Sequence, residues 1–284
     1  MKNSNISISP IKLLISVSVF IILILTPSCM ENIDVNLNSA NPQIVVEGTI
    51  VAGKKAIIKI TKSININDST LFPVVSNANV IISDNAGSSE KLTEITPGIY
   101  SSSSLTGVIG RIYHLSVNAE NKTISSDCKI PEQISFDSLN VVEIKSGFGF
   151  GNQTGNTQMP DIIYNLKIKY KDPESTKNYY RFIVYVNGTP IGNNSVYDDR
   201  LYNGIETLRT LVLYNQITKP GYKLSVEMQC ISSSVFNYFE SMSNSRMGPQ
   251  NSTTPSNPYT NLTNAVLGYF NACTSETKDY IVNN

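Results

Sequence analysis

The sequence predicts a mainly β protein: two β-sandwich-like domains, with one short helix in the second. Three features carry the prediction. Short runs rich in Ile, Val, Thr and Tyr recur along the chain, Gly, Pro, Asn and Asp punctuate them, and a single segment has helical spacing. The first run is Ile44-Val45-Val46-Glu47-Gly48-Thr49-Ile50, Gly53-Lys54 turns it, and residues 56–61 supply a second run rich in Ile. Residues 79–83 follow, with Asp84-Asn85-Ala86-Gly87 as a turn. Residues 112–117 alternate apolar and polar side chains, and Glu120-Asn121 turns them back into residues 123–130. Pro131 is the expected boundary, with a β-sandwich over 43–131 and a second β domain over 132–284.

The second half opens with a run over 134–144, then a stretch rich in Gly, Asn and Gln to Pro160. Residues 162–170 form the cleanest half-buried strand, because Ile162, Tyr164, Leu166, Ile168 and Tyr170 alternate with Asn165, Lys167 and Lys169. Lys171-Asp172-Pro173-Glu174 turns it back into residues 179–186. Runs over 208–214 and 223–231 flank the turn Lys219-Pro220-Gly221-Tyr222. The helix is placed at 233–243, where Val235, Phe239 and Met242 share a face and Ser232 or Ser233 can cap the first turn. A loop over 247–258 separates it from the closing run 264–270.

Residues 1–28 read as a lipoprotein signal peptide. Lys2 and Lys12 give the positive flank, and Leu13 to Leu25 is an uncharged apolar run about half as long as a membrane-spanning helix. The run ends in Leu25-Thr26-Pro27-Ser28-Cys29, which resembles a bacterial lipobox, the cysteine being acylated and becoming the mature N-terminus. Simple secretion and a retained anchor are the other readings. Residues 29–42 lack a sustained period and are expected to be a tether from lipidated Cys29 to the first strand. Lipid on Cys29 would hold the chain on a membrane; Glu31 and Asp34, two separated acids, leave cell-surface exposure open.

Composition excludes some functions. The 22 basic and 22 acidic residues balance, and losing Lys2 and Lys12 with the signal leaves two surplus acids. Without a basic surplus, nucleic acid is not an expected partner. No catalytic residue, metal site or cofactor is expected either. His114 is the sole histidine, and it falls on the solvent side of a strand whose other face carries Tyr113, Leu115 and Val117. Gly147-Phe148-Gly149-Phe150-Gly151 imitates a phosphate loop but has mis-spaced glycines and no helix behind it. Asp198-Asp199-Arg200-Leu201-Tyr202-Asn203-Gly204 imitates part of a calcium loop, with Leu201 where an oxygen ligand is needed. Acids gathered from separate strands could still make a hydrolase. Tyr179, Tyr180, Tyr197, Tyr202 and Tyr259 could form a binding face, although packing is the commoner use of such tyrosines.

After Cys29, three cysteines remain: Cys128, Cys230 and Cys273. The odd number implies at least one free thiol or an intermolecular bond. Cys230 ends one β-like run and Cys273 follows another apolar run, so the two could pair across neighbouring strands and are the candidate disulfide, whose loop closure would be worth about 4 kcal/mol. The alternative is that all three are small buried apolar groups, the expected state of Cys128.

Several pieces, in order, resemble a family of Bacteroidetes lipoproteins known as domain of unknown function 4249. The opening Val45-Val46-Glu47-Gly48-Thr49-Ile50 is similar to the family's first strand. The segment from Val75 to Asp84, then Pro97-Gly98-Ile99-Tyr100 and Gly110-Arg111-Ile112-Tyr113-His114-Leu115-Ser116-Val117, is similar to its next part. Tyr170-Lys171-Asp172-Pro173 with Asn178-Tyr179-Tyr180, then Asp199 to Gly204, and finally Leu267-Gly268-Tyr269-Phe270 resemble its later landmarks. Asn264-Ala265 departs from the Gly pair that often precedes the last of these.

The resemblance implies an outer-membrane lipoprotein, often encoded near TonB-dependent receptors, with no catalytic residues to carry over. It also implies a first domain like a transthyretin-like, carboxypeptidase-regulatory or Ig-like sandwich. Bacteria of this kind O-glycosylate Asp-Ser motifs, which makes Ser69, in Asp68-Ser69-Thr70, and Ser138, in Asp137-Ser138-Leu139, candidate sites. The functional expectation is a non-enzymatic accessory or ligand-binding partner of a TonB-dependent nutrient importer. A structural surface protein or adhesin is the alternative, and a hydrolase the third reading.

Overall fold

A computed structural model describes residues 41–65, 70–145, 162–213, 218–246, 257–264 and 266–283. The first sandwich draws on β1 (Ile44–Val51), β2 (Lys55–Lys62), β3 (Asn79–Asp84), β4 (Ser89–Lys91), β5 (Thr93–Thr96), β6 (Ile99–Thr106), β7 (Ile112–Ala119) and β8 (Lys122–Lys129). The second draws on β9 (Phe136–Lys145), β10 (Ile162–Lys171), β11 (Tyr179–Val186), β12 (Thr189–Asp198), β13 (Glu206–Leu213) and β14 (Lys223–Cys230). Helix α1 (Ser233–Arg246) and the long strand β15 (Leu267–Ile281) close the chain. The protein is mainly β and sandwich-like, as its alternating runs require.

One layer is an eight-stranded sheet, ordered β12-β11-β14-β15-β1-β2-β6-β5, and two smaller sheets, β4-β3-β7-β8 and β13-β10-β9, provide the facing strands. The strand that joins the two halves is β15. Its first part, Leu267 to Cys273, runs parallel to Val45 to Val51, whereas Thr274 to Ile281 runs antiparallel to Lys223 to Cys230. The same strand thus serves the first sandwich and then the second. Its entry is tight: Gly268 has φ +103°, and a Cβ there would lie 2.0 Å from the Val46 carbonyl oxygen, so only glycine fits.

Two apolar cores follow from this layout. Val46, Ile50, Ile58, Val80, Leu115 and Phe270 lie in the first, and Leu166, Ile168, Tyr180, Phe182, Val226 and Met228 in the second. Each is filled by alternate side chains of its strands, the period-2 pattern of half-buried sheet. In β1 the alternation is complete: Ile44, Val46, Gly48 and Ile50 are buried, and their neighbours are not.

The expected division at Pro131 needs correction. Ile231, Val235, Phe236, Phe239, Leu262, Val266 and Phe270, all from beyond that point, pack into the first core, and residues 41–284 form one compact unit. The physical reason is β15: without its parallel pairing to β1, the first sheet would end in an open strand edge. The helix is as expected in place and longer in extent, and the Ser232 hydroxyl accepts a hydrogen bond from the Val235 amide at 3.4 Å, the N-cap geometry.

The Cys230–Cys273 bridge is a second correction. All three described cysteines are free and buried. Cys230 stands opposite Thr274 in the β14–β15 ladder, one residue past Cys273. Because successive side chains on a strand point to opposite faces, Cys230 enters the second core and Cys273 the first. Cys128, expected to be a buried apolar group, is 3% exposed in the first core.

Candidate functional site

Two separate stretches that the sequence marked as landmarks meet at one corner of the second sandwich. The turn after β10 brings Asp172, and the turn between β12 and β13 brings Asp199 to Gly204. Asp172 is buried. One of its carboxylate oxygens accepts the Tyr180 hydroxyl and the other accepts the Gly204 amide at 3.3 Å, while its own amide donates to the Ile205 carbonyl at 3.2 Å. Asp199, also buried, accepts the Asn178 amide at 2.6 Å and returns its own amide to the Asn178 carbonyl at 3.2 Å. Each carboxylate therefore staples one turn to the other. Charge-assisted bonds of this kind are among the stronger ones in a protein.

The network has electrostatic consequences. Burial raises the Tyr180 hydroxyl well above the usual tyrosine range, and the Asp172 carboxylate that it faces raises it further. Tyr170 is also raised, first by burial, while the guanidinium of Arg209 acts in the other direction. Arg209 from β13 lies over the rings of both Tyr197 and Tyr202, at 4.5 and 4.2 Å from their centroids, with Nε 3.5 Å from the Tyr170 hydroxyl. A guanidinium between two aromatic faces is a rigid unit.

What this rigidity holds outward is apolar. Tyr202 N donates to the Asp199 carbonyl at 2.8 Å and Ile205 N to the Tyr202 carbonyl at 3.2 Å, which folds the turn tightly and leaves Leu201 at its tip 82% exposed, with Ile205 and Leu208 also exposed beside it. Gly204 allows the fold, since a Cβ there would sit 2.9 Å from Glu174 Cβ.

The other sequence candidates fall as follows. Asp198 pairs with Arg200 and Asp199 with the Asn178 amide, so these two carboxylates of the imitation calcium loop are both occupied by the protein itself. Tyr197 and Tyr202 are brought together around Arg209, but Tyr180 is core, Tyr179 stacks on Phe236 at 5.2 Å, and Tyr259 is exposed elsewhere, beside Asn237, Glu240 and Ser241. The five tyrosines do not form one face. His114 is exposed and its Nδ1 lies 2.8 Å from Asp127 Oδ1. Ser138 is exposed on β9, opposite Lys169. Cys29 with the signal segment and nearly all of the tether, Ser69, and Gly147 to Gly151 lie outside the described residues. Arg209 was not singled out by sequence; only its spacing from Tyr197 and Tyr202 across a turn could have hinted at the stack.

A second polar cluster lies where the two sandwiches join. Glu227 on β14 accepts from Tyr185 at 2.6 Å, from Ser275 at 2.6 Å and from Gln229 at 2.8 Å, and Gln229 accepts from Arg181 at 3.2 Å. Burial raises the Glu227 carboxyl, but these hydrogen bonds outweigh it and hold the group below its ordinary value. Arg181 rests over Phe239 of α1 at 4.0 Å. Every one of these groups is engaged with the others, the signature of a structural network.

Comparison with known proteins gives two findings. A family model described as "Domain of unknown function (DUF4249)" matches residues 30–279. Among solved structures, a two fibronectin type-III domain segment from chicken tenascin is similar, with 13% identity and a TM-score of 0.21, covering 86% of this chain and 100% of that one. No curated protein matches the sequence.

Proposed function

On the premise that this chain belongs to the DUF4249 family, whose model spans residues 30–279, we propose that it is a bacterial outer-membrane lipoprotein anchored through Cys29 and acting as a non-enzymatic docking or ligand-binding accessory of a TonB-dependent nutrient importer. The observation that carries the docking part is the Leu201 tip. Two buried carboxylates, Asp172 and Asp199, are committed to holding a turn whose outermost side chain is a leucine at 82% exposure. An apolar side chain held out on a fixed backbone loses little freedom when a partner covers it, so most of its burial energy is available for binding. Supporting the anchoring part are the apolar run before Cys29 and the polar tether that follows it.

The test is to cross-link cells, solubilise the outer membrane gently, isolate the lipidated protein and identify what accompanies it. Stoichiometric recovery of a TonB-dependent receptor, lost in a Leu201→Asp variant that still reaches the envelope, is the expected result. Recovery of its own oligomers alone would replace this reading with a structural one, in which β13, the last strand of its sheet, pairs with another copy.

A further inference from the structure

At the end of the first sandwich where β1 begins, a second set of apolar side chains faces solvent. Leu71 is 92% exposed, Phe72 57%, Val74 52% and Ile95 58%. The first three lie within four residues of one another, and Ile95 is on the adjoining β5–β6 hairpin. The segment carrying the first three is pinned along the end of β2 by hydrogen bonds from Lys62 N to the Pro73 carbonyl at 2.8 Å and from Val75 N to the Ile60 carbonyl at 3.0 Å, and Val74 bridges to Thr61. The β5–β6 turn lies against it, since a Cβ on Gly98 would come within 3.0 Å of Val74 Cβ, and Ile95 is in that turn's first strand. Glu94 fixes the turn by accepting the Asn77 and Gly98 amides at 2.9 and 2.7 Å. The four side chains are therefore held out on a pinned backbone, and none of them reaches the first core.

This is also the end from which the chain leads back to Cys29. Ser63 N donates to the Gln43 carbonyl at 2.9 Å, the Gln43 amide donates to the Ser63 hydroxyl at 2.9 Å, and Ile44 pairs with Lys62. From Cys29 to Asn41 is a stretch of chain that can extend at most about 40 Å. We infer that Leu71, Phe72, Val74 and Ile95 form a second membrane contact, seated in the interfacial region of the phospholipid bilayer that holds the acylated Cys29. The inference rests on the lipid-anchor reading. The occupant is argued from that tether: this end of the sandwich is the one from which the chain runs back to the anchor, and an exposed patch of Leu, Phe, Val and Ile suits the headgroup–acyl boundary. A two-point attachment would also restrict how the domain rotates on a polar leash, which a single flexible tether cannot do.

The chain contains no tryptophan, so one introduced residue reports alone. The lipidated Phe72→Trp protein, full length after processing, is reconstituted into zwitterionic phospholipid vesicles with or without brominated acyl chains. A matching Ile109→Trp protein places the probe in the turn that follows Gly107, which bridges to Ala52 at the far end of β1. The expected result is a blue-shifted emission and a severalfold loss of intensity with brominated lipid for Phe72→Trp and for Leu71→Trp, with none for Ile109→Trp. If the protein floats with vesicles and the Phe72→Trp emission is unchanged by bromine, the second contact is overturned while the anchor stands. Equal quenching at residues 72 and 109 overturns it as well, as non-specific coating. If the protein does not float with vesicles at all, the anchor and the contact fall together.

Discussion

The Asn261 side chain completes the backbone pairing of Phe270: its Nδ2 donates to the Phe270 carbonyl at 2.8 Å and its Oδ1 accepts the Phe270 amide at 2.9 Å. The position explains the need. β1 pairs with one edge of β15, and β14 reaches the other edge only from Thr274 onward. The groups left over in between are met one by one: the Gly268 carbonyl by the Thr260 hydroxyl at 2.7 Å, Phe270 by Asn261, and the Ala272 amide by Cys128 Sγ at 3.2 Å. A buried backbone group without a partner is costly, so the segment before β15, with Cys128 of β8, supplies what a missing strand would have supplied.

Replacing Asn261 by Ala should therefore strand two buried groups and cost about 2–4 kcal/mol, a fall in Tm of several degrees. Asn261→Asp should be at least as damaging, because the carboxylate can accept from the Phe270 amide but faces the Phe270 carbonyl with no proton to give. Thermal unfolding of the three proteins checks the order; an Asp variant as stable as wild type would refute the pairing.

Asp172 and Tyr180 make the same argument for the docking corner. Tyr180→Phe removes one hydrogen bond and leaves a buried carboxylate oxygen short of its donor, at a cost of about 1–3 kcal/mol. Asp172→Asn should cost a similar amount, and the double variant less than the sum, since the two act on one bond. A double-mutant cycle by denaturant unfolding measures the coupling, and additive losses would show that the pair does not interact.

Glu90 ties β4 to β6 through its carboxylate, which accepts the amides of Ser103, Ser104 and Leu105 and the Ser104 hydroxyl. Burial raises its carboxyl, but these bonds outweigh burial and lower it to about 2. Because the folded value lies below the unfolded one of about 4.3, the ionised group stabilises the fold above that unfolded value. The gain is lost as the pH falls through it toward the folded value. Wild type should thus exceed Glu90→Gln in Tm at neutral pH, and the two curves should converge as the pH falls from about 4 toward 2. Parallel curves over that range would contradict the assignment.

The thiols offer a fourth check. Burial pushes Cys128, Cys230 and Cys273 all upward from the ordinary thiol range, so each should resist alkylation in the folded protein and react fully in guanidinium, without any reductant. Peptide mapping after differential alkylation reads this directly. A Cys230–Cys273 disulfide in the non-reduced digest would overturn the register that places them on opposite faces.

Much of the architecture could be read before any coordinates. A run of β-favouring residues over 44–50 identified β1, alternation over 112–117 and 162–170 identified β7 and β10, and Val235, Phe239 and Met242 identified α1, because burying one face imposes a period on the chain. The strands that escaped reading are those whose stability lies elsewhere. β12 carries Pro190, Gly192 and two asparagines and lies at the end of its sheet, where such residues are tolerated. β6 is largely serine, yet Ser102 is buried because its hydroxyl accepts from the Ala56 amide at 2.9 Å and donates to the Leu105 carbonyl at 2.7 Å.

Sequence by itself determined the fold class, most of the strands, the helix with a serine cap at 232 or 233, and the turn at Lys171 to Glu174, since each depends on local period or turn chemistry. Only the tertiary structure decided that β15 would be shared between two sandwiches, that Cys230 and Cys273 would part by one step of register, and that Asp172, Asp199 and Arg209 would meet at one corner. Those outcomes depend on which strand pairs with which, and at what offset. Such pairings join residues far apart along the chain, and no short stretch of sequence contains them.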